Sequence, residues 1–221
     1  QIVDLFAVPK LPDIEPHYNI APTQDVLTIR RPRDADDEAG DVREAIMTRW
    51  GLIPIWADDR SIGNKLINAR SETVHEKSAF RDAFERRRCL IVADGFLEWK
   101  KMQGRKQPFH IQLKDGGPFG FAGLWERWRD EDDEWVISST ILTTRPNDRV
   151  EEIHDRMPVI VHSADHELWL EPHARPEDLE GIFEPYPADE MSFTPVNPRI
   201  NNVAHDDPAC LEPVEVQGSL F

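Results

Sequence analysis

The sequence predicts an α+β domain with a β-rich core, and three observations support this fold class. Apolar residues of high strand propensity recur in short runs separated by Gly, Pro and charged turns. Helical patterns are few and short. Strands and helices do not alternate regularly, which argues against a sheet built from βαβ units. With 221 residues the chain can bury a sizeable core, and we expect one domain over residues 1–200 and a polar tail over residues 201–221.

The first half of the chain is expected to hold two strands between two short helices. The first helix ends where several prolines begin an extended loop, and Ser78 is a candidate cap for the second helix. An acidic, turn-rich stretch over residues 32–41 predicts an exposed loop between the strands. The predicted elements are a helix end over residues 2–8, strands over residues 26–30 and 44–50, and a helix that begins after Ser78.

The second half is expected to contain most of the sheet. Ser163 can cap one of its helices, and Pro176 suits the first turn of another. After Pro198 the sequence indicates a loop and a weakly ordered, acidic end. The predicted strands cover residues 89–93, 109–113, 119–124, 135–143 and 192–196, and the predicted helices cover residues 163–170 and 176–182.

The formal net charge of −16 is unusual for a nucleic-acid binder, and solubility is its simplest explanation. The charge is unevenly distributed, however. Residues 165–221 hold 13 acidic and 2 basic residues, whereas residues 42–110 hold 14 Lys or Arg against 9 acidic residues. The composition is therefore compatible with a basic face on an acidic protein.

The cysteines and the apolar runs indicate a cellular compartment. Cys89 and Cys210 are far apart, without the paired spacing of a zinc site or the density of a disulfide scaffold. No run approaches the roughly 20 apolar residues that a membrane-spanning helix needs. We expect a monomer without a membrane partner in the reducing cytoplasm. No leader precedes the fold, so nothing indicates secretion. Because the chain starts at Gln1 rather than Met, we also expect a segment to have been removed upstream.

Glu98 is the first candidate for chemistry, since it ends an apolar run over residues 90–99. Burial among Phe96, Leu97 and Trp99 would raise the pKa of its carboxyl group and suit it to general acid or base catalysis. A partly buried ion pair with Arg or Lys is an equally good explanation. Asp94 lies four residues earlier, but an Asp-Gly step is an ordinary turn, so a structural role is expected there.

Three further residues could complete a site. His154 sits before a Met-Pro stop that would hold it in a fixed loop, although a surface histidine at a helix end is the alternative. Asn68 and Arg70 would point to the same side of a strand and suit sugar and phosphate recognition, or they could simply end a sheet edge. His162 and His166 have metal-ligand spacing without an accompanying acid motif. No metal or other cofactor is predicted, and no glycine-rich phosphate loop is present.

Together these residues belong to five ordered motifs that closely resemble the SRAP family, the SOS response-associated peptidases or abasic site processing proteins. The resemblance implies a PUA-like domain with a groove for single-stranded DNA carrying abasic sites. The motifs are Tyr18-Asn19-Ile20-Ala21-Pro22-Thr23, Trp50-Gly51-Leu52-Ile53-Pro54, Leu66-Ile67-Asn68-Ala69-Arg70-Ser71-Glu72-Thr73, Asp94-Gly95-Phe96-Leu97-Glu98-Trp99 and Ile153-His154-Asp155-Arg156-Met157-Pro158.

The resemblance also implies roles for single residues. Glu98 matches the glutamate that removes the initiator Met and transfers protons at a Schiff base. Asn68 matches the residue that positions the N-terminal cysteine and the sugar, and His154 matches the one that assists sugar ring opening. The implied DNA contacts are Trp50, Pro54, Arg70, Trp99 and Arg156. Family members form a covalent thiazolidine between the N-terminal cysteine and the abasic aldehyde, and they associate with DNA in the nucleoid.

One departure from the family pattern is large. The Met-Cys-Gly-Arg start is missing, and neither Cys89 nor Cys210 can replace it. We therefore expect the nucleophilic cysteine upstream of Gln1, and we expect the chain without it to be inactive in crosslinking. Two alternatives remain at this stage: a non-catalytic single-stranded nucleic-acid binding module that has lost the nucleophile, and a hydrolase that uses Glu98 and His154 on a small substrate.

Overall fold

The computed structural model describes residues 1–32, 42–102 and 104–216 and confirms the β-rich α+β class. Its strands are β1 (Asp25–Arg30), β2 (Glu44–Trp50), β3 (Asn68–Arg70), β4 (Arg88–Ala93), β5 (Phe96–Met102), β6 (Arg105–Leu113), β7 (Phe119–Arg129), β8 (Trp135–Thr144), β9 (Met157–Pro158), β10 (Ile160–Val161) and β11 (Met191–Pro195). Its α-helices are α1 (Ile2–Phe6), α2 (Arg81–Arg86), α3 (Asp148–Glu151) and α4 (His166–Leu170). Short 3₁₀ helices span Arg60–Lys65, Ser163–Asp165, Pro176–Asp178, Glu180–Phe183, Ala188–Glu190, Pro198–Asn201 and Pro208–Leu211.

Five strands close into a barrel in the order β7, β4, β1, β2 and β8, because β7 also pairs with β8. The short strand β3 lies parallel to β8 and places Asn68 opposite Ile141. Strand β9 is antiparallel to the end of β8, with Pro158 opposite Thr143. Strands β5, β6 and β11 form a separate antiparallel sheet. The ends of β3, β8 and β9 therefore meet at one corner of the barrel.

Two apolar clusters account for most of the buried core. In the first, barrel residues such as Leu90 and Leu124 pack against Phe6, Phe84 and Trp169 of the short helices. In the second, Ile91 and Trp125 pack against Phe109 and Ile111 of the separate sheet. Neighbouring residues of one strand enter different clusters because side chains alternate between the faces of a sheet. Helices of four to six residues are stable only through such packing.

Gly51 is required at the end of β2. Its φ of 124° is unfavourable for other residues, and an added Cβ would lie only 2.5 Å from the carbonyl oxygen of Gly63. The indole nitrogen of Trp50 donates to the Ile67 carbonyl at 2.9 Å. These contacts hold the turn after β2 against the segment that leads into β3.

Most strand predictions are confirmed, while several details of the helices are wrong. Helix α2 begins at Arg81 with Phe80 at its N-cap, so Ser78 does not cap it. Ser163 starts a 3₁₀ turn rather than capping a helix, and residues 176–182 form 3₁₀ turns. Helix α3 was not predicted. It is capped by Asn147, whose side chain accepts from the Arg149 and Val150 amides.

The weakly ordered end predicted after Pro198 is wrong over the described residues. Pro208–Leu211 forms a 3₁₀ helix, and Cys210 is fully buried beside Val196 and Ile200. The Asn19 side chain donates to three carbonyl groups of this segment, those of Ile200, Asn202 and His205. Residues 217–221 and residues 33–41 of the predicted acidic loop lie outside the described residues. The domain boundary at residue 200 stays a prediction.

None of the helices formed by the described residues has the length and apolar character needed to cross a bilayer.

Candidate active site and nucleic-acid interface

Glu98 lies in the middle of β5, opposite Phe109 of β6. Its neighbour Phe96, two residues earlier on the same face, packs into the second core cluster. Only 20 % of the Glu98 side chain is exposed. Burial raises the pKa of its carboxyl group from 4.5 to about 6, although the nearby His154 opposes the rise. The carboxyl group can therefore both accept and release a proton near neutral pH, as the sequence predicts.

His154 follows α3 in a loop that brings its imidazole to the same place. Its Nδ1 lies 4.0 Å from Oε1 of Glu98, which is too long for a hydrogen bond but close enough for strong electrostatic interaction. The same nitrogen lies 3.1 Å from both the amide and the carbonyl oxygen of Arg156, so its role depends on the tautomer. The ring is about half exposed. A carboxyl group and an imidazole thus face solvent together.

The pair opens into a cleft of about 560 Å³. Its rim carries cationic side chains from β5 and β6 and acidic ones from the loop after α3. Lys100 and Glu152 approach each other across the rim at 3.4 Å. The lining residues are Glu98, Trp99, Lys100, Lys101, Lys106, Glu152, Ile153, His154 and Asp155.

A stability measurement can test the cost of burying Glu98. Because its pKa is raised in the folded state, the folded chain binds this proton more tightly than the unfolded chain. The protonated carboxyl group therefore adds to the free energy of unfolding below pH 4.5, and this contribution is lost as the pH rises through about 6. Glu98→Gln removes the buried charge. It is therefore expected to raise the free energy of unfolding at pH 8 by up to about 2 kcal/mol and to leave it nearly unchanged at pH 4.

Urea denaturation at the two pH values measures this difference. Asp94→Asn is the matched control, because Asp94 is an exposed carboxylate in the turn before β5. Equal effects of Glu98→Gln at pH 4 and pH 8 would contradict the burial argument.

Arg156 anchors the loop that carries His154. Its guanidinium donates to both carboxylate oxygens of Glu72, at 2.5 and 2.9 Å, and to the Thr143 carbonyl at 2.6 Å. The hydrogen bond from Arg156 is the largest cause that lowers the pKa of Glu72. The side chain predicted as a DNA contact is thus already paired, and it joins the His154 loop to the segment after β3.

Arg156→Gln is expected to destabilise the fold by about 1–2 kcal/mol at pH 7, because it removes charge-assisted hydrogen bonds to a partly exposed partner. The lowered pKa of Glu72 makes this stabilisation present above pH 4.5 and lost as the pH falls through that lowered pKa. Thermal unfolding of the wild type and the variant at pH 7 and pH 3 measures it. Glu72→Gln should cause a similar loss, whereas a difference that persists undiminished at pH 3 would contradict the pairing.

Asn68 and Arg70 occupy the two ends of β3, and both side chains are exposed. Strand alternation places them on the same face, as predicted. Arg70 acts electrostatically on Glu72, so it lies near the Arg156 anchor. Within the described residues no hydrogen bond joins Asn68 to Glu98 or His154.

The predicted base-stacking residues differ in exposure. Trp50 and Trp99 are half-buried, and the Trp99 indole donates to the Asn201 side chain at 2.7 Å. Pro54 is buried and offers little surface to a base. The exposed residues follow it: Ile55 is 57 % exposed and Trp56 is 56 % exposed. The predicted DNA contacts do not include this pair, although two large apolar residues directly after a turn proline are a visible signal of a contact surface.

The cysteines and histidines outside the cleft have structural surroundings. Cys89 is fully buried, and burial raises the pKa of its thiol, which agrees with its predicted inert role in the core. His162 stacks on Tyr186 and His166 stacks on Phe6. Across the three described ranges, no cluster of three or more His, Cys, Asp or Glu side chains could hold a metal ion.

Fold and cleft together define a class of protein: a small β-barrel with a carboxylate and imidazole pair in an open cleft whose lining also includes Trp99 and three lysines. The family model described as SOS response associated peptidase (SRAP) matches residues 2–203, and the chain belongs to this family.

Named relatives agree with this assignment, and a solved structure shares the fold. The chain is 40 % identical over 216 residues to the abasic site processing protein YoqW of Bacillus subtilis. The aligned region covers 96 % of this chain and 93 % of the relative. It is 31 % identical over 236 residues to the mouse abasic site processing protein HMCES, covering 91 % of this chain and 66 % of the relative. A crystal structure of a Bordetella bronchiseptica protein has 31 % identity and a TM-score of 0.75, covering 89 % of this chain and 94 % of that one.

Proposed function

We propose that this protein processes abasic sites in single-stranded DNA and that the Glu98 and His154 cleft holds the damaged sugar. The observation that carries the proposal is the partly buried Glu98 carboxyl group, whose pKa is raised to about 6 and which lies 4.0 Å from His154 in an open cleft. A group of this kind suits proton transfer near neutral pH. The names of YoqW and HMCES support abasic sites as the substrate class.

The proposed covalent step requires a cysteine as the N-terminal residue of the chain, ahead of Gln1. Its amine adds to the ring-opened sugar aldehyde and loses water, which gives a Schiff base. The thiol sulfur then adds to the imine carbon, and the thiol proton moves to the nitrogen, which closes a five-membered thiazolidine ring. Glu98 accepts and returns the protons of these steps and also assists removal of the initiator Met. His154 assists opening of the sugar.

The neighbouring side chains are proposed to hold the DNA strand. Arg70 supplies a phosphate contact, and Asn68 on the same face of β3 positions the sugar and the N-terminal cysteine. Exposed Trp56 and half-buried Trp99 offer stacking surfaces for bases. Arg156 contributes mainly through its pair with Glu72, which holds the His154 loop. We propose that the protein acts as a monomer in the cytoplasm and joins the nucleoid when it is bound to DNA.

Intact-mass measurement tests the covalent step. The chain is prepared with Met-Cys-Gly-Arg and the connecting residues ahead of Gln1 and is mixed with a single-stranded oligonucleotide that contains one abasic site. The expected product has the summed mass of the processed protein and the strand less one water. A Cys→Ser change in the added segment, and a strand without the abasic site, should give no adduct. Absence of an adduct with the cysteine form would contradict the proposal.

A further inference from the structure

The hairpin formed by β5 and β6 is strongly basic in an acidic protein. Residues 99–114 contain five Lys or Arg and no Asp or Glu, whereas the whole chain has a net charge of −16. Four of these cations lie near the hairpin tip: Lys100, Lys101, Arg105 and Lys106. A cluster of positive charges gives a negatively charged partner a place to approach a protein whose remaining surface is mostly negative.

Two of the cations face each other. Lys101 and Lys106 are directly opposite across the antiparallel pair, and both side chains are exposed. Like charges in this position destabilise a hairpin. Within the described residues neither lysine has a salt bridge, whereas Lys100 on the other face pairs with Glu152 at 3.4 Å. The pair therefore costs the hairpin stability unless a negatively charged group lies between the two lysines.

The same lysines border the candidate site. Lys101 and Lys106 line the cleft that contains Glu98 and His154. Strand alternation places Trp99 on the same face as Lys101, which is the face of β5 opposite Glu98, and Trp99 also lines the cleft. Asn201 holds the Trp99 indole through a 2.7 Å hydrogen bond. A fixed aromatic ring beside unpaired cations is the combination that binds single-stranded nucleic acid with little dependence on sequence.

We infer that Lys101 and Lys106 bind backbone phosphates of the strand next to the nucleotide held in the cleft, with Trp99 stacking on a flanking base. This inference rests on the proposed function, since it concerns the strand that carries the abasic site. Bound phosphate neutralises the repulsion between the two lysines. It also explains how a chain with a net charge of −16 binds DNA: the contact is made by one hairpin whose residues 99–114 carry five cations and no acid.

Salt-dependent binding of a non-reactive strand tests the inference. The strand carries an abasic analogue without an aldehyde, so the measurement does not depend on covalent chemistry. For Lys101→Gln with Lys106→Gln, the slope of log affinity against log salt concentration should become less steep by about 1.4, the value for two lost phosphate contacts on a single strand. The melting temperature should stay equal or rise, because the repulsion is removed.

Lys10→Gln with Lys114→Gln is the matched control, since it removes two exposed lysines that lie outside the hairpin tip. It should leave the slope nearly unchanged. If the unaltered chain binds the strand and the Lys101 and Lys106 variant has the same salt slope as this control, the inference is overturned and the proposed function stands. A drop in melting temperature that accompanies the weaker binding would also overturn it, because the lysines would then be structural. If the unaltered chain fails to bind the strand, both proposals are contradicted.

Discussion

Glu98→Gln is expected to slow adduct formation by about 10²–10⁴-fold at pH 7, the range for loss of a general acid or base. Glutamine preserves the size of the side chain, but it neither accepts nor donates the transferred proton. The measurement is single-turnover adduct formation between the chain carrying the N-terminal cysteine segment and an abasic oligonucleotide. Affinity for a non-reactive strand should change by less than about 2-fold, because the substitution removes no phosphate contact.

The pH dependence sharpens this prediction. With a pKa of about 6, Glu98 is mostly ionised at pH 7 and becomes protonated as the pH falls through 6. Where its carboxylate is the base, the rate should fall about tenfold for each pH unit below that value. The Glu98→Gln variant should lack this fall in rate at acidic pH, and the Asp94→Asn variant should retain it. An unchanged rate in Glu98→Gln would exclude Glu98 from the proton transfers.

Trp56→Ala is expected to weaken binding of single-stranded DNA by about 5–150-fold, because stacking of one base on an aromatic side chain contributes about 1–3 kcal/mol. The side chain is 56 % exposed, so its loss should leave the melting temperature nearly unchanged. Fluorescence anisotropy with a labelled, non-reactive strand measures the affinity.

Trp135→Ala is the matched control for this experiment. Trp135 is also an exposed tryptophan, at 45 %, but it lies at the start of β8 and packs against Arg127 and Arg129. Its removal should leave affinity within about 2-fold. Equal losses in the two variants would mean that Trp56 has no specific part in binding.

Local sequence carries much of the information about strands and about Glu98. The strands of the barrel were predictable because their apolar, β-branched and aromatic residues lie between turn-forming residues, and the Asp94-Gly95 step does separate β4 from β5. Glu98 stands out for the same reason, since an acid inside an apolar strand is visible without knowledge of the fold. Closure of the barrel was not visible, because it depends on the pairing of β1 with β4 and of β2 with β8, which join segments far apart in the sequence.

The rest of the site depends on contacts between distant residues. His154 reaches Glu98 only because α3 and the pair of Arg156 with Glu72 fix its loop. The sequence therefore predicts Arg156 as a DNA contact without indicating that its guanidinium is already engaged. Pro54 was a candidate for stacking because its motif resembles that of the family, and the resemblance does not indicate that the residue is buried.

The C-terminal segment shows a similar limit. Its short 3₁₀ helix has no periodic apolar pattern, and the one buried residue of that helix, Cys210, packs beside Val196 and Ile200. The hydrogen bonds of Asn19 hold the residues that precede the helix. Acidic composition alone suggested weak order there. Packing of a few side chains overrides that tendency, and the same segment holds Trp99 through Asn201.

We propose that the damaged sugar binds between Glu98 and His154. The decisive experiment is a crystal structure of the protein with a single strand that carries a non-reactive abasic analogue. The sugar is expected within about 3.2 Å of the Glu98 carboxyl group, the distance needed for proton transfer. A sugar bound elsewhere, such as in the cavity lined by Arg31, Arg43 and Glu167, would contradict it.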